Sequence, residues 1–138
     1  MMTDNKTGLS PTQRDTEIMM ALAAAGDLVF TVYPATCTRV ATSAAWSREV
    51  RIRLNSASLD CHTWFSGAIA NGVSIGDTAS GTAAIASTTL TFVHGEAVVT
   101  VTGTGAFAAT NTDTLTIAQA TIMGATVASK TSVQTWTS

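Results

Sequence analysis

Charge is what this sequence has least of. Of its 138 residues 12% are charged, with seven Lys and Arg against nine Asp and Glu and a formal net charge of -2. A nucleic-acid surface needs a basic patch or stripe, so this balance excludes nucleic acid as the expected partner. Lysine occurs only at Lys6 and Lys130. Soluble domains carry about a quarter charged residues, and a surface this neutral is expected to be covered in part by copies of itself or by another subunit.

Cysteine is nearly as sparse. Cys37 and Cys61 are the only two, and two positions are compatible both with free buried thiols and with one disulfide. Long apolar runs are missing as well. The run Ile18 to Ala25 is far too short to span a bilayer, and Asp4, Asp15 and Glu17 precede it where a signal peptide would carry basic residues. The expectation is synthesis in a host cytoplasm, with no membrane partner.

Motifs that carry chemistry are missing too. Cys37, Cys61, His62 and His94 lack the C-x-x-C or H-x-x-x-H spacing of a zinc site. Asp77 and Asp113 are carboxylates without the spacing of a calcium loop. No GxxxxGK[ST] loop occurs, and Gly103-Thr104-Gly105 reads as a sharp turn, not a dinucleotide fingerprint. Asp60, Cys61, His62 and Ser66 lie close in sequence, but adjacent residues of a strand point to opposite faces, so Cys61 and His62 do not meet there. The expectation is a protein that is not an enzyme, with no cofactor, no metal and no catalytic residues.

What is present points to strands. About a fifth of the chain is threonine, and β-branched residues suit pleated, half-buried surfaces. The segment Thr88 to Gly103 reads as a hairpin turning at His94-Gly95, with Phe92 opposite Ala97 and Leu90 opposite Val99. In that register Leu90, Phe92, Ala97, Val99 and Val101 face a core, and Thr91, Val93, Glu96, Val98 and Thr100 face outward. Arg48 to Asn55 alternates cleanly, Val50, Ile52 and Leu54 against Glu49, Arg51 and Arg53. Further strands are expected at Leu28 to Tyr33, ended by Pro34, at Thr36 to Thr42, at Asp113 to Ala118, and at Thr121 to Val127 with a bulge or break at Gly124. Short strands punctuated this way argue for a sandwich.

One helix is expected, from Pro11 to about Ala25. Ser10 reads as its N-cap, Pro11 as its first residue and Gly26 as its C′ residue. Ile18, Leu22 and Ala25 form one stripe, widened by Met19 and Met20. The organisation is therefore an N-terminal arm and helix over 1–26, a sandwich over 27–128 and a C-terminal arm over 129–138. Trp64 is the expected core tryptophan, while Trp136 is expected to anchor the arm on a partner.

The run LTFVHGEAVVTVTGTG, followed by the DTLTI of Asp113 to Ile117, resembles the C-terminal half of bacterial and phage immunoglobulin-like (Big-type) domains. Val50 to Ser58 looks like the strand and turn that open such domains. The resemblance implies an all-β, Ig-like antiparallel β-sandwich, to which this chain adds one short N-terminal α-helix. Such domains are often modules of virion and bacterial surface proteins, and no shared catalytic residues come with them. The expected function is therefore structural, a capsid decoration or tail accessory protein of a phage-type virion. Its partners would be other virion subunits and its own copies, in a homo-oligomer. The expected interface residues are Ile18, Met19, Leu22, Arg51, Arg53, Val133 and Trp136. The alternative is a glycan-binding or adhesion module, in which an exposed Trp46 or Trp64 stacks on a sugar.

Overall fold

The computed structural model describes residues 11–40, 45–58, 61–78, 83–104 and 111–137. The expected N-cap Ser10, Asp60, the end of the expected Thr36 to Thr42 strand and Gly105 of the expected turn lie outside these residues.

Helix α1 spans Pro11–Ala24. Gly26 ends it with a φ of 68°, a left-handed conformation that costs glycine no Cβ clash. The Gly26 N–H donates to Ala23 O at 3.0 Å and the Asp27 N–H to Leu22 O at 3.0 Å, which satisfies carbonyls the helix leaves orphaned. The stripe it buries differs from the expected one. Met19 and Ala23, one turn apart, are buried and Leu22 is half-buried, whereas Ile18 is exposed. The helix is rotated so that its flexible thioether and a small side chain fill the contact.

The strands are β1 (Leu28–Tyr33), β2 (Thr36–Val40), β3 (Ala45–Ser56), β4 (Cys61–His62), β5 (Gly67–Ile69), β6 (Val73–Asp77) and β7 (Ala83–Ile85). After them come β8 (Leu90–Phe92), β9 (Glu96–Thr104), β10 (Asn111–Ile117), β11 (Ala120–Ile122), β12 (Ala125–Val127) and β13 (Lys130–Thr137). One sheet runs β1-β3-β9-β7 with β4 also on β3, and a second runs β2-β13-β10-β6. All these pairings are antiparallel except that of β2 with β13. Two small pairs, β5-β8 and β11-β12, complete the fold. This is the expected all-β, Ig-like sandwich with one helix.

The period-2 patterns decide which faces meet. Val50, Ile52, Leu54, Ala97 and Val101 from the first sheet are buried with Leu115, Ile117 and Val73 from the second. Phe30 on β1 stacks on Phe92 on β8 with ring centroids 5.9 Å apart. Fully burying one such side chain contributes about 1.5–3 kcal/mol, so the alternation that the sequence displays is what closes the sandwich.

The hairpin forms only at its tip. His94 and Gly95 take φ values of 50° and 83°, and Val93 and Glu96 exchange both backbone bonds across them, at 2.9 and 3.2 Å. Beyond the tip the arms part. Phe92 pairs with Gly67 on β5, and Ala97 pairs with Ile52 on β3. The inward set nevertheless holds, because parting the arms does not change the parity of either strand. At the other expected break, Met123 and Gly124 have φ values of 51° and 81° and join β11 to β12 as a hairpin of their own.

The expected C-terminal arm is a strand. β13 lies between β10 and β2 in the second sheet, and its Ser132, Gln134 and Trp136 point inward. Its alternation mixes hydroxyl, amide and indole groups, so an apolar-only pattern does not reveal it.

Candidate interaction surface

Trp64 stands 58% exposed, against the expectation that it fills the core. The reason is local. The backbone N–H and hydroxyl of Thr63 both donate to Leu54 O, at 2.8 and 2.9 Å, which fixes the chain as it leaves β4. Phe65 then turns its ring onto Phe92, centroids 5.6 Å apart, and alternation sends Trp64 outward. The Gly95 N–H donates to Phe65 O at 2.7 Å and the His94 N–H to Ser66 Oγ at 3.0 Å, so the 63–66 stretch is stitched to the hairpin tip.

These contacts shape a cleft of about 360 Å³ between α1, the 63–66 stretch, the hairpin tip and the β11-β12 turn. Thr16, Ser66 and His94 give it polar groups, and Met19, Phe65, Trp64 and Met123 give it apolar ones. The Trp64 and His94 rings lie 5.2 Å apart, tilted by 57°. Around it Met123 and Val93 are exposed, as are Ile18 and Met20 on α1.

Arg51 and Arg53 project from the outer face of β3, as their alternation predicts. Their partners lie in the same chain. Arg53 Nε donates to Glu96 Oε2 at 3.0 Å, and Arg51 reaches Glu96 at 3.4 Å and Glu49 at 3.6 Å. Arg53 first, then Arg51, holds the Glu96 carboxyl below its usual range. Exposed pairs like these contribute roughly 0–1 kcal/mol each. Tyr33 and Val98 stand exposed among the large hydrophobic residues.

Two expected interface residues are internal. Met19 is buried under α1 and Trp136 inside the sandwich, each 3% exposed. Trp136 lies against Trp46, centroids 4.3 Å apart, and its Nε1 donates to Asp113 Oδ2 at 2.7 Å. Each is anchored in the chain's own core, which leaves little of its surface to present. Val133 is half-buried, and its N–H donates to Ala35 O at 2.8 Å. Leu22 packs against the core. Ile18, Arg51 and Arg53 remain at the surface.

Asp113, weighed as an oxygen ligand for calcium, is fully buried. Its carboxylate takes Arg48 on one oxygen and Trp136 on the other. Among the described residues no group of three or more His, Cys, Asp or Glu side chains is placed to hold a metal ion. Cys37 carries a free thiol. No described helix is long and apolar enough to cross a membrane.

No family model and no curated relative matches the chain. Among solved structures, the ASH / PapD-like domain 7 of human CEP192 aligns with 99% of this chain and 94% of its own, at a TM-score of 0.52 and 8% identity. SSP-19, an MSP-domain-like protein of Caenorhabditis elegans, aligns with 78% of this chain and 99% of its own, at 0.46 and 17%. The first of these shows a shared fold and nothing more at that identity. The fold is thus an Ig-like antiparallel β-sandwich.

Proposed function

We propose that this chain is a non-enzymatic structural module that acts through contacts between subunits. The observation that carries the reading is on α1. Met19 and Ala23 fix the helix to the sandwich, and this leaves Ile18 and Met20 51% and 57% exposed beside a weakly charged body. A helix that spent its apolar residues only on its own core would not present these two. Arg51, Arg53, Glu49 and Glu96 add a face of both signs, which suits contact between copies because each sign meets the other.

The finer part of the proposal is the assembly, a phage-type virion in which the module decorates the capsid or serves the tail. The resemblance of Leu90 to Ile117 to bacterial and phage Ig-like domains, which are modules of virion proteins and of bacterial surface proteins, is what supports it. Electron microscopy of particles from the native source, with the protein located by antibody, tests this part. Regularly spaced label on capsid or tail is the expected result, and unlabelled particles overturn it.

A further inference from the structure

The geometry points to one contact with two different halves, in which α1 of one copy lies along β3 of the next. The inference rests on the reading that copies meet through α1, and it names the surface that receives the helix. Met19 and Ala23 turn one side of α1 to the core. At 3.6 residues per turn, Ile18 and Met20 then fall on the two flanks of the other side, about 160° apart. Between them Arg14, Glu17, Ala21 and Ala24 are exposed. The two alanines let the helix axis approach a partner closely, with one large side chain reaching down on either flank.

A matching surface lies on the first sheet. Tyr33 on β1 and Val98 on β9 are the cross-strand neighbours of Arg51 on β3, so the three side chains share a row across the outer face. Tyr33 and Val98 are exposed. Strands lie about 4.8 Å apart, which puts these two positions about 10 Å from each other. A helix with its side chains is about 10–12 Å across, so Ile18 and Met20 meet Tyr33 and Val98 while the alanines sit over β3. Between Tyr33 and the stems of Arg51 and Arg53 runs a groove of about 280 Å³, where an aliphatic side chain packs against the arginine methylenes.

Charge fixes the direction. Arg14 and Glu17 lie one turn apart on α1, with about 5–6 Å between their Cβ atoms, and Glu49 and Arg51 lie two residues apart on β3, a rise of about 6.6 Å. With the helix parallel to β3, Arg14 meets Glu49 and Glu17 meets Arg51. Reversed, like charge would meet like. The sheet gives up no hydrogen bond between Arg51 and Glu49, because the two stand 3.6 Å apart with their side chains 49% and 60% exposed, a separation beyond hydrogen-bond reach. Both halves are in the chain's own sequence, so the occupant is a second copy. Since the halves are different surfaces, copies join head to tail, and a finite oligomer is then a ring.

The test is sedimentation velocity on the full chain across a hundredfold range of concentration. Tyr33→Ser, Val98→Ser, which leaves α1 untouched, should weaken association about tenfold or more, and so should Arg14→Glu. Glu49→Arg placed on the Arg14→Glu chain should recover association to within about threefold of the wild type, because the two charges are exchanged. Thermal unfolding, compared at concentrations where the wild type is a monomer, reads folding apart from association. Should the Tyr33, Val98 variant unfold, the charge exchange decides alone. A wild type at the mass of one chain throughout overturns this inference together with the reading it rests on. A wild type that associates while the folded Tyr33, Val98 variant associates as strongly, or while Glu49→Arg recovers nothing, overturns the inference alone and leaves contact through α1 standing.

Discussion

Arg48 on β3 and Asp113 on β10 form an ion pair inside the sandwich, with both side chains fully buried, so one charge from each sheet is neutralised between them. The Arg48 Nη1 donates to Ser132 Oγ at 3.0 Å, and that hydroxyl donates to Pro34 O at 2.6 Å. Trp136 completes the carboxylate's shell. The pair therefore fixes how β3, β10 and β13 sit across the core. Removing one partner leaves an uncompensated buried charge, which costs about 3–5 kcal/mol. Asp113→Ala should lower the unfolding free energy in urea by that amount. The double variant Arg48→Met, Asp113→Leu should recover much of the loss, because well-packed apolar residues replace buried ion pairs at little cost.

This pair also marks the limit of what the sequence displays. The stretches whose inward residues are all apolar, Val50 to Leu54 of β3 and β9, are legible from period-2 alternation alone. So are the helix ends at Pro11 and Gly26 and the turn at His94-Gly95, where residue type sets the backbone angle. β13 is not legible, because its inward residues are Ser132, Gln134 and Trp136, and a polar inward face reads like a solvated arm. At the candidate site, the cluster around Trp64 is visible in DCHTWF, but its direction is not. Whether Trp64 or Phe65 turns inward depends on where Thr63 is pinned to Leu54, a contact nine residues back.

Helix α1 should be held by Met19 and not by Ile18. Met19→Ala removes a buried side chain and should cost about 2–5 kcal/mol. Ile18→Ala, exposed on the single chain, should stay within about 0.5 kcal/mol at concentrations where the protein is a monomer. Chemical unfolding of the two variants side by side checks this. Equal effects would contradict the orientation of the helix.

The helix terminus gives a narrower test. Nothing lies within 4 Å of a Cβ placed on Gly26, so Gly26→Ala meets no steric clash and its whole cost is the positive φ. That cost is about 1–2 kcal/mol, read from the shift in the urea midpoint.

Acid should destabilise the fold partly through Asp27. Ser56 Oγ donates to Asp27 Oδ2 at 2.5 Å, Ser58 Oγ at 2.7 Å, and the Ser58 N–H to Oδ1 at 3.0 Å. These bonds, Ser56 foremost and then Ser58, hold the Asp27 carboxyl below its usual range. Glu96 is lowered likewise, by Arg53 first. A carboxyl lowered on folding binds fewer protons folded than unfolded, so stability rises with pH across that window. The contribution is complete above the ordinary carboxylate values near about pH 4 and is lost as pH falls through the lowered ones. Asp27→Asn should flatten the acid limb of unfolding midpoints measured between about pH 5 and pH 2. An unchanged limb would show that its three hydrogen bonds do not favour the charged form.

The central claim is that the module works by subunit contact through the outer side of α1. Light scattering coupled to size exclusion, across a hundredfold range of concentration, measures it most directly on the wild type and on Ile18→Ser, Met20→Ser. The account predicts a wild-type mass that rises with concentration to a defined oligomer. The variant should stay at the 14.2 kDa of one chain, with the thermal unfolding that the wild type shows at concentrations where it too is a monomer. A wild type that stays at the mass of one chain throughout, or a variant that associates as the wild type does, would contradict it.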